Sequence, residues 1–156
     1  MAVAVFVDTS ILLNLLDVPK RNGERETVTA EFLAWQQEDA TFVLPITTVI
    51  ETGNAVAKIE GGSRWSFVEK FVQILGQAVV GATPWAASGA VWNADFIQDL
   101  IDGHGHVPAL PMLMKSDVGV GDAGILAEME QYRARVPSAT PIRIWTLDAQ
   151  LGAFGN

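Results

Sequence analysis

Four carboxylates in this 156-residue chain share one local setting. Asp8 follows the apolar run Val3-Ala4-Val5-Phe6-Val7, and Glu51 comes shortly after Thr41-Phe42-Val43-Leu44-Pro45. Asp122 opens a late amphipathic stretch, and Asp148 lies just beyond Ile142-Arg143-Ile144-Trp145-Thr146. A single Asp or Glu at a helix start is commonly a cap, favoured by the free N–H groups and the helix dipole. Thr48-Val49-Ile50-Glu51 has the spacing of a capping box. Four such groups on one edge are harder to read as caps, because unpaired they would repel one another in a partly dry cleft. A divalent cation is the usual resolution. An all-oxygen donor set without Cys or His suits Mg²⁺ or Mn²⁺ better than Zn²⁺. A cation held there would act as a Lewis acid and lower the pKa of a bound water.

Whether the four meet depends on the elements that carry them. Residues 3–7 read as a strand buried on both faces of a parallel sheet. Thr9 and Ser10 are cap residues, and residues 11–16 read as a helix. Further strands are expected at 41–44, 77–80 and 142–146. Helices are expected over 24–38, 49–59, 64–75, 85–101 and 122–135, with a short terminal helical turn over 148–154 and a loop over 103–114. Strands alternating with helices imply right-handed crossovers and a parallel sheet. All strands of such a sheet end on one edge, where ligands bind. Asp8, Glu51 and Asp148 should therefore converge, and Asp122 joins them if its helix starts at the same edge.

The bulk properties narrow the function classes. The length suits one domain, 1–156, with a real core. No apolar run reaches the ~18–20 residues of a membrane helix, so no membrane association is expected. The start lacks a basic n-region, and the expected location is the cytoplasm. With no cysteine there is no disulfide, thiolate metal site or cysteine nucleophile. A net charge of -8 argues against a broad basic surface for nucleic acid. Lys20, Arg21, Arg25, Lys58 and Arg64 are candidates for phosphate contacts or members of a solvated face. Trp65, Trp85 and Trp92 either stack on bases or belong to the core or a dimer interface. Asp102-Gly103-His104-Gly105-His106 reads as a flexible loop rather than a metal tract.

Val7-Asp8-Thr9-Ser10 with Asn14, then Glu51, then Asp122 opening a late helix, then Trp145-Thr146-Leu147-Asp148, resembles the PIN-domain family. The likeness spans nearly the whole chain, and its first and last motifs are the most specific. It implies a three-layer α/β/α PIN-like fold with a short central, mainly parallel sheet. It also implies an Mg²⁺- or Mn²⁺-dependent endoribonuclease and, at this size, the toxin of a VapBC-type toxin–antitoxin pair. The partners implied are an RNA substrate, a cognate antitoxin protein and a second copy in a homodimer. On the same likeness, Asp8, Glu51, Asp122 and Asp148 are both the catalytic residues and the metal ligands. Thr9, Ser10 and Thr146 are supporting hydroxyls, and Asn14 is a supporting amide. Asp117 is the alternative third acidic position; Asp122 is preferred because Ala123-Gly124-Ile125-Leu126 continues as a buried helix. The competing function is a catalytically weak PIN-like module that binds protein or RNA. A phosphotransferase using Asp8 as nucleophile lacks the second aspartate two positions on.

Overall fold

The computed structural model describes residues 2–155. Strand β1 (Ala4–Val7) is buried along its whole length and lies inside a four-stranded, all-parallel sheet. It pairs on one side with β2 (Thr41–Leu44), placing Val5 opposite Phe42. On the other side it pairs with β4 (Ile142–Trp145), placing Val7 opposite Trp145. Strand β3 (Trp85–Ala87) pairs with β2 at the far edge, giving the order β3-β2-β1-β4.

Period-two alternation divides the strand side chains between two cores. Val5, Val7, Phe42, Leu44, Trp85 and Trp145 face helices α1 (Thr9–Leu15), α2 (Arg25–Gln37), α3 (Ile46–Ala57) and α4 (Arg64–Val80). Here Phe32 stacks on Phe42 at 4.9 Å between centroids, and Phe42 in turn meets Trp85 and Trp145. Ala4, Phe6, Val43, Ile142 and Ile144 face α5 (Ala94–Asp102), α6 (Leu110–Lys115), α7 (Val120–Arg133) and α8 (Ala149–Gly155). The result is a three-layer α/β/α fold. The chain runs from β1 to β3 by way of the first helical layer, then returns through the second layer to β4 on the other side of β1. The crevice at the carboxyl end of β1 is thus a topological switch point, the favoured ligand position in open α/β sheets.

Several sequence-based expectations change. Residues 77–80 are not a strand but the end of α4. Val79 and Val80 mimic a strand by their β-branching, yet they are 78% and 75% exposed. The helix stops only at Gly81, whose φ of 67° is the left-handed value glycine tolerates, and Ala82 N–H closes it by donating to Gln77 O. The third strand is Trp85–Ala87, so the expected helix over 85–101 is split. Only its second half, α5, is helical, and it starts where the Asn93 side chain accepts from Phe96 N–H at 3.0 Å. The expected loop over 103–114 contains α6, which begins at Leu110 with Pro111 in its first turn. Helix α3 begins at Ile46, directly after Pro45, so Thr48 is no cap and Glu51 sits in the second turn.

Candidate functional site

Asp8 extends β1 by one residue: its N–H donates to Trp145 O, continuing the ladder with β4. Its backbone stays extended at ψ 158° and caps α1, with Oδ1 accepting from Thr9 N–H at 2.7 Å. Oδ2 accepts from the Thr146 hydroxyl at 2.6 Å and the Ser10 hydroxyl at 3.2 Å. Both hydroxyls are also acceptors. Thr146 Oγ1 receives Asp148 N–H at 3.0 Å, and Ser10 Oγ receives Leu147 N–H at 3.3 Å. The turn after β4 is thereby fastened to Asp8. Asp148 lies in that turn and caps α8, its Oδ1 accepting from Gln150 and Leu151 N–H.

Glu51 arrives from the other side. The buried Thr48 hydroxyl donates to Val7 O at 2.7 Å and pins the start of α3 to the end of β1. One turn on, Glu51 Oε2 accepts from the Thr9 hydroxyl at 2.8 Å. Its Oε1 lies 2.6 Å from where a Cβ on residue 121 would stand. Gly121 therefore lets the Glu51 carboxylate approach the first turn of α7, next to Asp122. Burial, and then the charges of Asp8, Asp148 and Glu51 in that order, push the Asp122 carboxyl from its ordinary 3.8 up to about 6. All four carboxylates therefore act on one small region at the carboxyl edge of the sheet.

The other sequence-predicted residues fall as follows. Thr9, Ser10 and Thr146 contact the carboxylates directly. Asn14 is buried, with its amide donating to Ser10 O and accepting from Glu24 N–H, which ties α1 to the start of α2. Asp117 is exposed at φ 60° after α6, and it is not among the charges that raise Asp122. Trp85 is core, Trp92 lies against Gly124 of α7, and Trp65 is exposed.

The donor set suits a hard divalent cation. It is all oxygen and anionic, and among the described residues the ion pairs, Arg25–Asp17 and Arg133–Glu130, supply no Lys or Arg to any of the four carboxylates. Among the described residues, however, no three acidic or histidine side chains already stand as a ready-made ligand group. Asp8 and Glu51 are instead held by hydroxyl donors.

Sequence reasoning passed over Glu128. It is fully buried on α7, where it accepts from Ile46 N–H at the start of α3, from the Ser88 hydroxyl at 2.5 Å and from Trp92 Nε1–H at 3.2 Å. It thus clamps α7 to α3 and to the segment after β3. The available signal was its phase: Glu128 is three residues after Ile125 and four after Gly124, on the face that reads as buried.

Comparison with models of known protein families, with curated proteins and with solved structures returned no match.

Proposed function

We propose that the chain is a PIN-like, Mg²⁺- or Mn²⁺-dependent endoribonuclease acting in the cytoplasm as the toxin of a toxin–antitoxin pair, with an antitoxin protein and a second copy of itself as partners. The observation that carries the enzymatic reading is the gathering of Asp8 and Glu51, fastened through Ser10, Thr146 and Thr9, against the first turn of α7, where burial first and then the charges of Asp8, Asp148 and Glu51 raise the pKa of Asp122, with no Lys or Arg paired to the four among the described residues. Such a field is costly to the fold alone and favourable to a bound cation. Among the described residues no helix is long and apolar enough to cross a membrane.

Asp8, Glu51 and Asp122 would hold the ion, with Asp148 beside them. Bound there, Mg²⁺ or Mn²⁺ supplies Lewis acidity toward a phosphate and a water of lowered pKa. The protein's own groups orient this machinery. Thr146 and Ser10 fix the Asp8 carboxylate through Oδ2, and Thr9 fixes Glu51 through Oε2. The test is cleavage of a panel of structured RNAs by the purified protein. Cleavage should require Mg²⁺ or Mn²⁺ and stop with EDTA. In Asp8→Asn it should fall by roughly 100-fold or more with the circular dichroism spectrum unchanged. Cleavage that persists in EDTA, or at full rate in Asp8→Asn, rules the reading out.

A further inference from the structure

Five basic residues cluster in sequence around the α1–α2 turn and the end of α3, and the fold uses them in two ways. Arg25 donates to the Asn14 and Leu15 carbonyls at the end of α1, and Arg64 donates to Ile59 O. Those two complete backbone ends. The other three, Lys20, Arg21 and Lys58, line one surface concavity of about 380 Å³, against a single acidic residue there, Glu60. Neither ion pair among the described residues involves any of the three.

The concavity has a fixed frame. Helix α1 closes with Asp17 at φ 61° and Val18 N–H donating to Leu13 O at 3.0 Å. Lys20 follows at φ 67°, and Arg21 N–H donates to Val18 O. Lys58 is the C-cap of α3. In a chain of net charge -8, three unpaired cations facing one hollow form a local site for a polyanion. Its position relative to the carboxylates follows from α3. Glu51 and Lys58 are seven residues apart, so they share a helix face and stand roughly 10 Å apart along the axis.

We propose that the hollow of Lys20, Arg21 and Lys58 binds a backbone phosphate of single-stranded RNA, a nucleotide or two from the phosphate at the carboxylates. The strand would then lie along the exposed face of α3. The choice of RNA and the assignment of the neighbouring phosphate as the scissile one rest on the nuclease reading; the anion site itself does not. Lysines and an arginine meeting phosphate position a strand without reading its bases.

The experiment measures binding of a short fluorescent single-stranded RNA in EDTA across a salt series, with Asp8→Asn as the parent so that the RNA stays intact. Replacing Lys20, Arg21 and Lys58 together by Gln should weaken binding about tenfold and reduce the slope of log K against log salt by about 2. Lys115→Gln, on α6 in the other helical layer, should change neither. Should the triple variant fail to melt cooperatively, Arg21→Gln and Lys58→Gln singly should each reduce the slope by about 0.7, and Lys58→Arg should restore it. An unchanged slope, or no RNA binding by the parent, overturns the proposal. So does loss of inorganic phosphate binding with RNA binding intact. Slope loss in the variant, with no metal-dependent cleavage by the unmodified protein, keeps the phosphate site and removes the nuclease. Cleavage with an unchanged slope does the reverse.

Discussion

Helix α7 carries two carboxylates six residues apart whose surroundings are opposite. Glu128 is sealed from solvent, and burial pushes its pKa up, but Ser88, Ile46 and Trp92 each donate to it and pull it back down. Asp122, at the start of the same helix, is only partly buried, and the groups that act on it after burial are three further carboxylates. One acid is answered by the protein's own N–H and O–H groups; the other is opposed by like charge. A buried carboxylate with its donors supplied is a fastening, because removing it orphans those donors. A carboxylate placed among carboxylates lowers stability and is retained where an outside cation uses the field. That contrast separates a satisfied acid from an unanswered one on a single element, and the proposed function gives the second its use.

The largest effect expected from this contrast is at Glu128. Glu128→Ala strands three donors in the interior and opens a cavity, at a cost of about 3 kcal/mol or more. Thermal unfolding should shift down by roughly 6–12 °C for a chain of this size. Glu128→Gln keeps the volume but turns an N–H₂ toward donors, and should lose less. Any activity that survives in the folded fraction should show its ordinary metal requirement. A melting temperature within a degree of the unmodified protein would show that the clamp is not structural.

The difference between the two acids also marks what could be read from sequence. The edge carboxylates were legible because Asp8 and Asp148 follow strands, Asp122 opens α7 and Glu51 lies on the helix that follows β2, one turn later than its spacing suggested, and parallel topology brings strand ends together. Asp8 needed only the apolar run before it, since β1 is buried on both faces. The segment from 77 to 93 was not legible. The Val79-Val80 pair favours a strand locally, yet α4 extends through it on its exposed side to the stop at Gly81. Trp85, Trp92 and Phe96 have helix-like spacing, although Trp85 belongs to the strand paired with β2 and Trp92 packs on Gly124 across the fold. Those contacts are long-range, and local periodicity carries no trace of them. Glu128 was obscured for the same reason: its donors come from α3 and from the segment after β3.

A smaller effect, of the opposite sign, is expected at Asp122. Because its folded pKa is raised to about 6, the folded metal-free protein binds more protons than the unfolded chain between about pH 4 and 6. Its stability from this group is present at low pH and lost as pH rises through about 6. Asp122→Asn removes that loss, so the variant should match the unmodified protein near pH 4 and melt higher above pH 7. Solvent screening limits the gain to about 1 kcal/mol, or roughly 2–4 °C. Mn²⁺ should reverse the order above pH 6, stabilising the unmodified protein and leaving the variant almost unaffected. Melting curves at several pH values, with and without Mn²⁺, check both halves. Equal stabilisation of the two proteins by Mn²⁺ would break the contrast between Asp122 and Glu128.

The smallest change that tests the arrangement of the edge is Gly121→Ala. Gly121 lies in the first turn of α7, and the nearest atom to an added Cβ is Glu51 Oε1 at 2.6 Å. That contact is too close to persist, yet it involves the end of a flexible side chain rather than backbone. The carboxylate can swing away while the helix stays in place. Alanine also favours helix over glycine, so stability should hold within about 1 kcal/mol. Glu51 cannot move without disturbing its hydrogen bond from Thr9, the bond that sets its position beside Asp8 and Asp122. On the proposed nuclease function, cleavage should therefore fall about tenfold while thermal unfolding hardly moves, the reverse of the pattern at Glu128. Gly124→Ala is the matched control. Its Cβ would meet the Trp92 ring at 2.7 Å, deep in the clamp, so it should lower stability and leave the metal dependence of cleavage alone. A Gly121→Ala protein that cleaves at the full rate would show that the approach of Glu51 to α7 has no part in the chemistry.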